Sequence, residues 1–234
     1  MLKGAFCAAL LSLGAAFVSL LVLRHSGLWF EQRPESYLYP LRGAYISDDS
    51  GGINWERLKA QGLDFCYIRL TKGYAFADRQ GAANLKAAVK NKLTAGAVHD
   101  FDFAAGGRPQ ADSFISMLGS SSLLIPAIDL RMSFLERLRY RQGYELAAEI
   151  NAFEKRLIEK TGRGALLLCD SYSYELLKVE ASDALVWAED YDSSGYCSSP
   201  LVISYSRNSK IKNISDTDGS ILMLAAARER IEQE

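Results

Sequence analysis

The 234-residue chain has almost no net charge, a formal −1 from 27 basic and 28 acidic residues. That balance removes the electrostatic case for a nucleic-acid partner, which needs a basic face to meet phosphate. Cysteine is scarce, and the four present (Cys7, Cys66, Cys169 and Cys197) form no C-x-x-C and no metal-like spacing. Buried thiols are the reading, with no metal and no other cofactor expected, and disulfide status left open. Histidine occurs only twice, at His25 and His99. No internal repeat or low-complexity tract stands out, which argues against a solenoid or array.

Charge is also missing locally, from one stretch near the N-terminus. Residues 4–23, "GAFCAALLSLGAAFVSLLVL", carry none, and Arg24 and His25 end the run. Twenty helical residues at about 1.5 Å each just span a hydrocarbon core of roughly 30 Å. A signal-peptide core is usually shorter, about 7–15 residues. Residues 1–25 therefore read as an uncleaved signal anchor, one transmembrane helix. Gly14 and Ala16 supply a small-x-small pair, so secretion after cleavage is the alternative. Lys3 and Arg24 oppose each other and give no orientation. Residues 26–41 follow as a linker broken by Pro34 and Pro40.

Residues 42–234 are one domain by length. Strand-like runs at 42–47, 64–71, 94–101, 123–130, 165–171, 184–191 and 201–206 alternate with helical patterns at 53–62, 78–92, 108–119, 140–162 and 172–179. Asn54 is a candidate N-cap, and Gly62 and Gly162 are candidate stops. Such alternation implies an α/β fold with a mostly parallel sheet, closed or open. The chemistry of such folds collects at the C-terminal ends of the strands. Those ends carry Arg69, His99, Asp100, Asp102, Asp129, Arg131, Asp170, Glu189 and Tyr191. A carboxylate-rich layer suits carbohydrate chemistry, because glycoside cleavage uses a pair of carboxyl groups. The arginines at 137, 139 and 141 read as a solubility cluster in a loop.

The order of short motifs narrows this further. "GAYIS" (43–47), "INW" (53–55) and "GLDFCYIRLTKG" (62–73) come first. Asp78, Asn84, "GAVHDF" (96–101), "QADSF" (110–114), "PAIDLR" (126–131), "WAEDY" (187–191) and a loose "DTDGS" (216–220) follow. In this series the chain resembles the family 25 glycoside hydrolases, the Chalaropsis-type lysozymes or N-acetylmuramidases. The resemblance implies a modified β/α (TIM-like) barrel, a peptidoglycan-binding groove and an extracytoplasmic location for the domain. It implies a catalytic role for Asp129 and, loosely, for Asp218. Candidate binding residues are Tyr45, Arg69, His99, Asp100, Arg131, Trp187 and Tyr191, with a hydrogen-bonded structural role the stronger reading for His99.

Several positions depart from the pattern of that family. Tyr45 stands where the pattern has its first Asp. Arg131 stands where it has the Glu of Asp-x-Glu, its general acid. Val98 and Asp100 flank His99 in place of Tyr and Phe, and Glu189 replaces an alanine. An arginine keeps its proton far above physiological pH and donates none. The expectation is thus a membrane-anchored, catalytically degenerate relative that binds peptidoglycan, Arg131 suiting an anionic group such as a stem-peptide carboxylate. Two alternatives stay open. One is an active glycosidase with relocated carboxylates, drawn from Glu189, Asp100 and Asp102. The other is an interaction protein that keeps the barrel without a sugar site.

Overall fold

The computed structural model describes residues 12–19, 38–47, 50, 52–119, 124–140, 143–177, 185–189, 196–197, 199–206, 221–225 and 232. Its elements run β1 (Leu41–Ile46), α1 (Trp55–Ala60), β2 (Phe65–Lys72), β3 (Phe76–Ala77), α2 (Gly81–Lys90), β4 (Thr94–Asp100) and α3 (Gly107–Leu118). They continue β5 (Ala127–Asp129), α4 (Phe134–Arg139), α5 (Gly143–Thr161), β6 (Leu166–Cys169), α6 (Ser171–Leu177), β7 (Leu185–Glu189), β8 (Val202–Ser206) and β9 (Ile221–Ala225). Residues 12–19, within the expected anchor, are helical. Among the described residues no helix is long and apolar enough to cross a membrane, and the remainder of 1–25 lies outside them.

The sheet order is β1-β9-β8-β7-β6-β5-β4-β2-β3, with β1 also paired to β2. The sheet therefore closes on itself, and β3 hangs from β2 as a short hairpin. Pairings from β1 through β2, β4, β5, β6 and β7 to β8 are parallel. The closing strand β9 is antiparallel to both neighbours. The barrel is thus a β/α barrel with one reversed strand, as a modified TIM-like fold requires.

Period-2 alternation sorts the side chains into two cores. Tyr45, Phe65, Tyr67, Val98, Ala127, Leu168 and Trp187 fill the barrel interior. Ala44, Ile68, Ala97, Ile128 and Leu167 point outward and meet Leu58, Leu85, Phe114 and Phe153 from the helices. The interior rings pack edge-on or tilted, with Tyr45 and Tyr67 against Trp187 at 5.9 and 5.1 Å between centroids. Aromatic pairs at such spacing add to the burial of their area.

Local chemistry sets the helix ends. The Asn54 side chain accepts from the Arg57 N–H, capping α1. Gly62 and Gly162 stop α1 and α5 with φ of 79° and 72°, a left-handed conformation that a Cβ disfavours. Gly107 serves a different need. A Cβ there would lie 1.8 Å from the Glu149 carbonyl oxygen, so glycine lets α3 touch the backbone of α5.

Four elements differ from the sequence reading. β5 covers only Ala127–Asp129 of the apolar run at 123–130, because Pro126 has no N–H to donate and pairing to β4 involves only those three residues. The presumed loop around Arg137 and Arg139 contains α4, started by a Ser133–Glu136 capping box. The other two are β3 and β9, which were not anticipated.

Candidate active site at the barrel mouth

The register brings the strand-end residues together. Asp100 on β4 is level with Asp129 on β5, and both follow inward-facing residues by two. Arg131 lies two residues beyond Asp129 on the same side. Glu189 ends β7 two residues after the inward Trp187. These groups form the floor of an open pocket of about 320 Å³, whose wall includes Lys72, Glu136, Arg137 and Asp170.

Arg131 organises the floor. Its Nε donates to Asp129 Oδ1 at 2.8 Å and its Nη2 to Asp129 Oδ2 at 2.5 Å, a bidentate fork. Its Nη1 donates to Glu189 Oε1 at 2.6 Å, so one guanidinium joins β5 to β7 across β6. The backbone N–H of Arg131 adds a bond to Asp129 Oδ1. Both carboxylates are almost fully buried. Burial by itself would lower the Arg131 pKa, but Asp129 and then Glu189 more than offset it and hold the guanidinium above its usual range. The same group lies 5.8 Å from the centroid of the Tyr45 ring. Tyr45 is itself buried, and burial first, then Asp129, pushes its phenol up. Neither Arg131 nor Tyr45 is therefore a proton donor near neutral pH.

Asp100 is different. Lys72 Nζ lies 3.0 Å from its Oδ2. Burial first, and the neighbouring Asp129 second, raise its carboxyl above the usual value. A carboxylic acid raised in this way keeps a proton to higher pH.

The other predicted residues divide. His99 belongs to the outward face of β4, away from the mouth, because the alternation that turns Val98 and Asp100 inward turns it out. Its Nδ1 is 2.8 Å from Thr71 Oγ1 and its Nε2 is 3.1 Å from Gln110 Oε1, with Phe114 and Phe153 stacked alongside. Burial lowers its pKa to about 4. The neutral, enclosed imidazole is a hydrogen-bonded structural group of the barrel wall, the stronger of the two readings for it. Trp187 is likewise enclosed in the barrel, its Nε1 donating to Ser204 Oγ at 2.7 Å, and it offers no face to a sugar. Arg69 pairs with Asp78 at 3.5 Å and lies over the Phe76 ring. Asp102 caps the loop after β4 through the Ala104 N–H and lines a separate hollow. Tyr191 and Asp218 lie outside the described residues.

Two members of the wall were missed as a pair. Arg137, read as a solubility residue, donates to Asp170 Oδ2 at 2.8 Å and to the Met132 carbonyl at 3.0 Å. Its guanidinium lies over the Tyr172 ring at 5.3 Å. The signal was present in Asp170, already recognised as a strand-end carboxylate, but nothing local named its partner 33 residues earlier. Among the described residues no group of His, Cys, Asp and Glu has the arrangement of a metal site.

The class defined by these features is a closed β/α barrel with a carboxylate-bearing mouth at the strand C-termini. The chain belongs to glycosyl hydrolases family 25, whose family model matches residues 46–209. Among characterised relatives it is 35% identical over 83 residues to Lysozyme M1 of Streptomyces globisporus, a match covering 35% of this chain and 28% of that protein's length. Solved structures share the fold at lower identity. A family 25 glycosyl hydrolase from Bacillus anthracis aligns with a TM-score of 0.75 and 21% identity, covering 86% of this chain and 95% of the other. A lysozyme from Streptomyces coelicolor gives 0.71 and 21%, covering 82% and 94%. The spore cortex lytic enzyme SleM of Clostridium perfringens gives 0.71 and 18%, covering 86% and 71%.

Proposed function

We propose that this protein is a membrane-anchored lysozyme-like domain that binds peptidoglycan and does not cleave it by the route usual in its family. The observation that carries the reading is the three-bond clamp of Arg131 on Asp129 and Glu189. A nucleophile or base must be free to approach the reacting carbon, and an acid must hold a transferable proton. The clamp occupies both carboxylates with a permanent cation, at the position where the family pattern has its acid. The uncharged run at 4–23 supports the anchor, and the wall substrate supports an extracytoplasmic domain. Secretion after cleavage near Ala16 is the alternative, which N-terminal sequencing of the mature protein distinguishes.

A second reading has one observation in its favour. Asp100 carries a raised carboxyl facing the mouth, as a relocated general acid would need, with Glu189 as its partner. One experiment separates the two. The purified protein is incubated with insoluble peptidoglycan, sedimented, and assayed for lysis by zymography. Co-sedimentation without lysis is expected. Lysis that survives Arg131→Ala but disappears in Asp100→Asn, Asp129→Asn or Glu189→Gln would overturn the non-cleaving reading and install the second.

A further inference from the structure

Two hollows flank α4. One is the barrel mouth, where Glu136 and Arg137 form part of the wall. The other, about 200 Å³, lies between Leu135 and Arg139 of α4, the following Tyr140, and the loop after β4 at Asp102 and Ala104. Glu136 lines both, so α4 is a low partition between two parts of one surface.

The helix is unusual in its own right. None of its residues is buried. Phe134, Leu135 and Leu138 expose 74%, 74% and 50% of their surface. Yet polar ties hold it at both ends. Ser133 and Glu136 bond reciprocally, Arg137 reaches Asp170, and the Tyr172 hydroxyl lies 3.1 and 3.0 Å from the carbonyls of Arg137 and Tyr140. A rigid helix that shows apolar side chains to water is not explained by core packing.

We infer that the second hollow is a subsite for the peptide of a peptide-bearing glycan whose sugar occupies the mouth. The inference rests on the glycan reading above and adds the part of the ligand that α4 selects. An uncharged sugar has no group that needs an ion. A short peptide brings small apolar side chains, amides and a carboxylate. The hollow offers Leu135 and Ala104 to the apolar groups. Arg139, whose guanidinium lies 5.6 Å from the Tyr140 ring centroid, is a fork for a carboxylate. The Asp102 carboxylate, oriented by its bond from the Ala104 N–H, accepts an amide or amine proton. Continuity through Glu136 places this hollow next to whatever fills the mouth.

The test uses the full chain in detergent micelles and two soluble probes. One is a muramyl disaccharide carrying its peptide, and the other is the same disaccharide with the peptide replaced by a methylamide cap, which keeps the lactyl carboxyl uncharged. Calorimetry on the unmodified protein is expected to give an affinity for the peptide-bearing probe at least about tenfold higher, roughly 1.4 kcal/mol. Leu135→Ser and Arg139→Glu each bring the two probes close to equality and leave the affinity for the peptide-free probe unchanged. Leu138→Ser, outside the hollow, has no effect on the ratio. Equal affinity of the unmodified protein for both probes overturns the subsite and leaves the glycan reading intact. Equal losses for both probes in the α4 variants also overturn it. Binding of neither probe overturns both readings together.

Discussion

Replacing Arg131 by Met puts the clamp to its hardest test. The change removes three charge-assisted bonds of 2.8, 2.5 and 2.6 Å and takes from Asp129 and Glu189 the guanidinium that joins them. Breaking a buried pair by deleting one partner costs about 3–5 kcal/mol. The Arg131 side chain is 24% exposed, and water at the mouth screens part of that, so about 2–3 kcal/mol is the expected loss at pH 7.5. For a domain of this size that is a fall in Tm of about 5–10 °C. Urea denaturation followed by tryptophan fluorescence at pH 7.5 reads the loss. Adding Glu189→Gln to Arg131→Met is expected to restore at least about 1 kcal/mol at pH 7.5, because one of the two negative charges that the guanidinium balanced is then gone. A deficit below about 0.5 kcal/mol, or no recovery in the double variant, refutes the clamp as an energetic unit.

Other outcomes follow from the same physics. His99 is held neutral by burial, with its pKa lowered from 6.5 to about 4, so the protein loses stability as pH falls from about 6.5 to about 4, by up to about 1.4 kcal/mol per pH unit, and a His99→Gln variant shows a flatter profile. Gly107→Ala forces a methyl into the Glu149 carbonyl 1.8 Å away and is expected to cost about 3 kcal/mol or more by chemical denaturation. Trp187→Phe strands the buried Ser204 hydroxyl now bonded at 2.7 Å, for a loss of about 1–3 kcal/mol with the fold unchanged by circular dichroism.

Much of this architecture is written locally. Asn54, Gly62 and Gly162 mark helix ends because capping and left-handed turns depend on one residue and its neighbours. The alternation of strands and helices is legible for the same reason, and with it the layer holding Asp100, Asp129, Arg131 and Glu189. α4 escaped because its apolar residues point to water, so its pattern advertises no core face. β9 escaped because only its partners Val202–Ser206 and Leu41–Tyr45, distant in sequence, define it as a strand. A structural His99 was legible too, since parity with Val98 and Asp100 turns it outward. That Arg131 reaches Glu189 as well as Asp129 depends on closure of the barrel, which brings β7 within reach of β5, and no spacing in the sequence reports it.

The antiparallel closing strand has a consequence for how the protein reaches this state. Until β9 arrives, β1 and β8 are open edges of a curled sheet, with unpaired N–H and C=O groups along each. Closure joins Leu41 to Ala225, so the last pairing spans most of the chain and is the one with the greatest loop-closure cost. During synthesis the mouth residues can be in place on their strands well before the ring shuts. A chain halted before residue 221 would expose two adhesive edges, and such a fragment is expected to aggregate rather than persist as a smaller barrel.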